Sequence, residues 1–183
     1  MSIRDARRAE VWQPRAMEHV KPIVTVDLDH AGKPIGAVAV ADIEAPRSRV
    51  WSVIANLDGY AGVVPMLDKV KRQGDRVTVH LRFKISLVSV GFEFTCALKM
   101  EHERWLELTW VAGEPKGLRI RFDLEDTESG TTQVKAGIWF DALSLGWLAK
   151  YFLRHHPEIQ FGIFPGCALA IVDSMRRVSE GQK

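Results

Sequence analysis

Alternation of apolar and polar residues in the second half of the chain limits the fold more than any other feature. In Arg76–Lys84 the apolar residues Val77, Val79, Leu81 and Phe83 occupy every second position. A β-strand with one buried face has this period of two. The same period recurs, with short turns between the segments, over Phe92–Met100, Leu106–Trp110, Leu118–Leu124 and Val134–Phe140. Successive strands joined by short turns predict an antiparallel meander.

The first third of the chain adds a hairpin and a helix. Two further strand candidates, Ile23–Asp29 and Ile35–Ile43, flank the turn-forming cluster His30–Pro34. Pro46 then suits the first turn of a helix, where a backbone N–H is not needed. Apolar residues follow at the spacing of a helix with one buried face: Val50, Val53, Ile54 and Leu57. The next residues, up to Leu67, are too apolar for an ordinary solvated loop.

The C-terminal part of the chain has helical patterns. The stretch from Leu143 to Phe164 mixes aromatic residues with cations and contains Pro157, which predicts an amphipathic helical insert that ends at the proline. A broad apolar stripe from Phe164 to Val178 predicts a long final helix. A meander followed by a long helix is an α+β architecture, and 183 residues suit one domain.

Composition excludes several classes of protein. Hydrophobic residues make up 46% of the chain, which allows a sizeable core, and a net charge of +2 is too small to predict nucleic-acid binding. Cys96 and Cys167 form no CxxC pair, so neither a disulfide framework nor a zinc site is indicated. The charged N-terminus lacks the apolar core of a secretion signal, and no run approaches the roughly 18 apolar residues of a membrane span. We therefore expect a cytoplasmic protein with no metal and no cofactor.

A motif lies between residues 43 and 65. It consists of Ile43-Glu44-Ala45-Pro46, Val50-Trp51, Ile54, Asp58, Tyr60 and Val64-Pro65. Together with the order of the elements, it resembles the START-like (SRPBCC) superfamily, and within it the polyketide cyclase/dehydrase and coenzyme Q-binding branch. The resemblance implies a helix-grip fold, in which a curved antiparallel sheet wraps around a long C-terminal helix with an apolar cavity between them. The chain is thus expected to divide into an N-terminal extension with an extra strand, 1–34, and the START-like helix-grip domain that the resemblance implies, 35–183.

The inward-facing residues predict a cavity that binds a hydrophobic small molecule. Almost all of them are apolar, and an apolar cavity binds a lipid-like ligand by desolvation, at roughly 25 cal/mol per Å². The small residues Ala37, Ala39 and Ala41 favour a cavity over a solid core, which is the alternative. The candidate ligands are a lipid, a quinone, an isoprenoid or a polyketide, and nucleic acid is not expected as a partner. The predicted lining residues are Tyr60, Val64, Phe83, Phe94, Cys96, Trp110, Phe122, Phe140, Phe164 and Ile171.

Two other functions stay open. An aromatase/cyclase-type enzyme acting on a polyketide-like substrate would need at least two polar groups that converge in the cavity. Tyr60, Cys96 and Asp141 are the candidates, but the pattern reveals no base beside the cysteine, and no residue is assigned a catalytic role. A protein- or ribosome-interaction module would need a filled core and a continuous basic outer face. The cations available for such a face, if their strands are neighbours, are His80, Arg82, Lys84, Arg119 and Arg121.

Two segments are predicted at the mouth of the cavity: the helical insert 144–156 and the hairpin loop 85–91. For the loop, ordinary hairpin packing is the alternative. The insert combines aromatic residues with Lys150 and Arg154, a mixture that suits contact with a membrane surface. The alternative is a lid packed on the sheet. His155-His156 lacks a third metal ligand at a suitable spacing. The predicted portal or membrane-contact residues are Leu87, Val88, Trp147, Tyr151 and Phe152.

Overall fold

A computed structural model of the chain describes residues 21–85 and 88–181. Its strands are β1 (Ile23–Leu28), β2 (Pro34–Ile43), β3 (Leu67–Gln73), β4 (Arg76–Ile85), β5 (Val88–Glu101), β6 (Trp105–Gly113), β7 (Arg119–Asp126) and β8 (Thr132–Trp139). Its α-helices are α1 (Arg47–Ala55), α2 (Gly146–His155) and α3 (Gln160–Ser179). Short 3₁₀ turns occupy Leu57–Tyr60, Ala142–Ser144 and Pro157–Ile159.

The strands form one antiparallel sheet in the order β1-β2-β8-β7-β6-β5-β4-β3. From β3 to β8 the chain runs as a meander, as the alternation predicts. β2 then pairs with β8, where Ala39 lies opposite Ala136, and β1 extends that edge. Because five strands separate β2 from β3, the chain between Ile43 and Leu67 crosses the width of the sheet. This crossing carries α1 and the 3₁₀ turn that follows it.

Helix α3 covers one side of the inner face. It packs against β2, β8 and β1, while α1 packs against α3 and β7. The residues of α3 that are fully buried recur at helical spacing: Phe164, Ala168, Val172 and Met175. Ala37, Ala39 and Ala41 are buried in β2, the strand against which α3 packs most closely, so the helix takes the space that these small residues leave.

This arrangement confirms the predicted α+β, helix-grip architecture: a curved antiparallel sheet with a long C-terminal helix. The strand predicted at Ile23–Asp29 is β1, and the proline predicted to end the insert follows α2. Residues 1–20 lie outside the described residues. One strand was not predicted. In β3, LDKVKRQ, only Val70 is buried, so the strand has too few apolar residues to show the period of two.

Trp139 organises the outer face near the β1 edge. Its indole lies over Gly36 and Gly137, where an added Cβ would come within 2.0 and 2.1 Å of ring atoms. Its Nε1 donates a 2.6 Å hydrogen bond to Oδ2 of Asp27. The guanidinium of Arg119 lies 5.0 Å from the centre of the ring. The two glycines thus make room for a side chain that connects β1, β8 and β7.

Candidate functional site

Most of the predicted lining residues lie in one core between the sheet and the helices. The buried ones are Tyr60, Val64, Phe94, Cys96, Phe122, Phe140 and Phe164. Trp110 and Ile171 are partly buried and pack against the same core. Phe83 belongs to β4, but its side chain falls outside the part of the chain that the structure describes.

The structure brings Phe140 and Phe164 together. Their ring centroids are 4.7 Å apart, and the ring planes are tilted by 48°. Such pairs contribute about 0.5–1.5 kcal/mol beyond the burial of their area. Phe140 directly follows β8 and Phe164 lies in the first turns of α3, so the contact fixes the start of the helix to the sheet.

Partly buried apolar side chains occur both on α3 and on the inner face of the sheet, where they pack against the core. On α3, Ile163, Cys167 and Ile171 follow one another at four-residue spacing, beside the fully buried row. The main strand contacts of α3 are with β1, β2 and β8, so β4 to β7 lie beyond the strands that the helix covers best. On these strands too, three inward-facing side chains are only partly buried: Leu81, Trp110 and Ile120. We call these six residues the candidate apolar site.

Tyr60 lies at a different place from the two phenylalanines. Its hydroxyl donates a 2.6 Å hydrogen bond to the backbone carbonyl of Ile54, and burial raises the pKa of the phenol above its ordinary value. With Met175, among other residues, it lines a cleft of about 180 Å³. Met175 comes eleven residues after Phe164 on α3, which is about 16 Å along the helix axis. The structure therefore separates Tyr60 from the Phe140–Phe164 contact.

The other two candidates for polar chemistry have surroundings that do not favour catalysis. Cys96 is fully buried, and burial raises its pKa to about 12, so the thiol stays protonated at neutral pH. Asp141 is exposed, and its side chain accepts a 2.9 Å hydrogen bond from the backbone N–H of Leu143. It thereby caps the 3₁₀ turn that precedes α2. Tyr60, Cys96 and Asp141 thus occupy three different settings.

His155, the last residue of α2, and His156, which follows it, contact neighbouring groups. Nδ1 of His155 lies 2.8 Å from the carbonyl oxygen of Tyr151, and Nδ1 of His156 lies 3.1 Å from Oε1 of Glu158. Within residues 21–85 and 88–181, no group of three or more His, Cys, Asp or Glu side chains is placed to hold a metal ion.

The arginines predicted on the outer sheet face are paired with carboxylates. Nη2 of Arg82 lies 3.0 Å from Asp68, and Nη2 of Arg119 lies 2.7 Å from Glu107. A continuous basic face would need the strands of these two arginines to be neighbours. They are not, because β5 and β6 lie between them. The side chain of Lys84 lies outside the described part.

The predicted portal residues that can be described are on the surface of α2. Trp147, Tyr151 and Phe152 are exposed by 81, 56 and 48% of their area, whereas Leu153 is buried. Leu87 is outside the described residues, as is the side chain of Val88, where β5 begins. No helix among the described residues is long and apolar enough to cross a membrane.

Sequence reasoning missed several residues of this region. Leu81 and Ile120 lie on apolar faces that the alternation predicts, and Cys167 lies on the apolar stripe of α3. These patterns do not tell which residues of a face stay partly uncovered. Gln160, the first residue of α3, is buried with no hydrogen-bond partner for its Oε1. With Phe161, among other residues, it lines a second cleft of about 360 Å³. No sequence signal distinguishes it from an ordinary exposed glutamine.

The architecture and the apolar interior define a protein of the helix-grip class. Three solved structures show the same fold. The protein TTHA0849 from Thermus thermophilus has a TM-score of 0.63 at 12% identity, over 79% of this chain and 96% of that chain. The Zhui aromatase/cyclase from a Streptomyces species has a TM-score of 0.53 at 17% identity, over 78% and 94%. A START superfamily protein from Mycobacterium smegmatis has a TM-score of 0.53 at 12% identity, over 79% and 99%.

These similarities confirm the START-like fold that the motif at residues 43–65 predicts. At such identities they concern the fold alone. No family model matches the chain, and no curated protein sequence matches it.

Proposed function

We propose that the protein binds a hydrophobic small molecule at the candidate apolar site. The observation that carries the proposal is the partial exposure of apolar side chains on both α3 and the inner sheet face, next to a row that is fully buried. Apolar surface left accessible costs roughly 25 cal/mol per Å². A ligand that covers this surface recovers that free energy.

The polar groups of the candidate apolar site indicate a ligand with few polar atoms. Nε1 of Trp110 already donates a 3.0 Å hydrogen bond to the carbonyl oxygen of Gly113. Burial raises the pKa of the Cys167 thiol, so it is neutral at physiological pH. A site without a charged group favours a lipid, quinone, isoprenoid or polyketide over a small anion.

Binding or transport agrees better with this site than catalysis does. The Zhui protein is an aromatase/cyclase, but its likeness to this chain is one of fold, at 17% identity. A cyclase must place acids or bases around its substrate. In this chain the hydroxyl of Tyr60 donates its hydrogen bond to a backbone carbonyl of α1, and Asp141 caps a surface turn.

Native mass spectrometry of protein purified without detergent tests the proposal. We expect a non-covalent adduct with the mass of a lipid or quinone, released on denaturation. Ile171→Trp should fill the site and reduce the adduct. Val178→Trp is the matched control, because Val178 is on the same helix but 37% exposed.

Titration with a fluorescent fatty acid completes the test, because a ligand can be lost during purification. Equal binding to the wild type and to Ile171→Trp, or no binding to either, would contradict the proposal. Turnover of a polyketide mimic that Ile171→Trp abolishes would favour the aromatase/cyclase alternative instead.

A further inference from the structure

The segment Gly146–Phe161, here called the aromatic corner, comprises α2, the following 3₁₀ turn and the start of α3. Among the residues whose burial is described, every exposed Trp, Tyr or Phe side chain belongs to it. These are Trp147, Tyr151, Phe152 and Phe161, the last exposed by 52%. Single exposed apolar residues are common on protein surfaces, but a cluster of them marks an interaction site.

Three neighbouring rings of α2 contact one another at the surface. The Tyr151 ring lies 5.7 Å from that of Phe152 and 4.4 Å from that of His155, measured between centroids. Leu153 is 3% exposed and anchors α2 to the rest of the protein. The helix therefore presents one face to the core and holds its aromatic face away from it.

The charged side chains of the aromatic corner itself are mostly cationic, and the Glu114 carboxylate lies beside its first residue, Gly146. Lys150 and Arg154 are exposed on α2, next to His155 and His156. Lys33, from the turn between β1 and β2, lines the same cleft as Arg154 and Phe161. The acidic residue of the aromatic corner is Glu158, whose Oε1 lies 3.1 Å from His156.

We propose that the aromatic corner docks on a membrane surface that contains anionic phospholipids. Trp and Tyr side chains favour the boundary between acyl chains and headgroups, and Lys and Arg bind lipid phosphates. An α-helix of ten residues is too short to span a bilayer, which needs about 20, but suits an interfacial position. Docking is independent of the proposed ligand.

Vesicle co-sedimentation tests the docking. We expect the full chain to bind vesicles of phosphatidylcholine with phosphatidylglycerol, to bind pure phosphatidylcholine vesicles less, and to dissociate as salt rises. Trp147→Ala should weaken binding by on the order of tenfold, because an indole buries a large apolar area. Lys150→Glu and Arg154→Glu should each weaken binding to the anionic vesicles on the order of fivefold.

Matched substitutions elsewhere serve as controls. Val111→Ser removes an exposed apolar side chain from β6, and Lys71→Glu reverses an exposed cation on β3. Both should leave vesicle binding unchanged. Circular dichroism and thermal unfolding of Trp147→Ala should match the wild type, since the side chain is 81% exposed.

Quenching of tryptophan fluorescence by brominated phosphatidylcholine, mixed with phosphatidylglycerol, reports insertion. We expect quenching of the wild type that Trp147→Phe largely removes while vesicle binding persists. Wild-type protein that stays in the supernatant with both vesicle types would overturn the proposal. So would Trp147→Ala with unchanged binding. A wild-type dimer in analytical ultracentrifugation that Trp147→Ala dissociates, without vesicle binding, would assign the surface to a second copy of the chain.

Discussion

The hydroxyl of Tyr60 donates a 2.6 Å hydrogen bond to the backbone carbonyl of Ile54. Ile54 lies in the last turn of α1, where backbone carbonyls have no partner within the helix. Tyr60 therefore satisfies an orphan acceptor and fixes the chain as it leaves α1 to cross the sheet. A residue of the START-like motif thus has a structural role that the motif itself does not reveal.

Tyr60→Phe should destabilise the protein by about 1–2 kcal/mol, because the buried carbonyl of Ile54 loses its donor. The free energy of unfolding in urea measures the effect. Tyr151→Phe, at an exposed position, is the control and should change the stability by less than about 0.5 kcal/mol. Equal stability of the wild type and Tyr60→Phe would show that the hydrogen bond contributes nothing.

Because the thiol of Cys96 is buried, we expect the folded protein to lose stability at alkaline pH. Burial raises its pKa to about 12 in the folded protein, whereas an unfolded thiol titrates near about 8.5. Below the unfolded pKa both states are protonated. As the pH rises from about 9 towards 12, the unfolded state loses its proton first, and the stability falls by up to about 1.4 kcal/mol per pH unit.

Urea unfolding at several pH values compares a variant at Cys96 with one at the residue opposite it. Cys96→Ala should show a smaller slope of stability against pH than the wild type. Val77→Ala is the matched control, because Val77 is fully buried directly opposite Cys96 and has no titratable group. If both variants keep the wild-type slope, another group is responsible for the alkaline loss.

Because the buried Oε1 of Gln160 has no hydrogen-bond partner, we expect an apolar substitution at this position to stabilise the protein. Gln160→Met keeps the length of the side chain and removes the buried amide, so the free energy of unfolding should rise by up to about 1–2 kcal/mol. Gln133→Met is the comparison. The Gln133 amide is partly exposed and donates a 3.2 Å hydrogen bond to Asp42, so its loss should matter little. A marked loss of stability in Gln160→Met would mean that the amide has a partner in solution.

Gly137→Ala should destabilise the protein by about 1–3 kcal/mol, as overpacking does. Its Cβ would stand 2.1 Å from the Trp139 ring, so the indole must move and lose its hydrogen bond to Asp27. Gly91→Ala is the matched control in β5, since its Cβ would meet its nearest neighbour at 3.7 Å. Thermal unfolding of the two variants compares them directly. Similar melting temperatures would argue against a fixed position for Trp139.

Much of the fold follows from local patterns in the sequence. Alternation in segments such as Arg76–Lys84 predicts the strands, because each has one face in the core and one in water. The stripe on α3 predicts the helix that covers them. The details of the candidate site depend on tertiary placement instead. Ile120 and Phe122 have the same periodicity in β7, yet one is partly exposed and the other buried, because the helices cover the sheet unevenly.

The polar sequence of β3 has a consequence for the protein in concentrated solution. Among the residues that the structure describes, β3 is the last strand at one edge of the sheet, and such a strand can template the addition of a strand from a second molecule. Lys69, Lys71 and Arg72 are exposed along it. They repel the same cations on the β3 edge of another molecule, and this repulsion opposes polymerisation. A more apolar strand would be easier to recognise in the sequence, and it would also aggregate more readily.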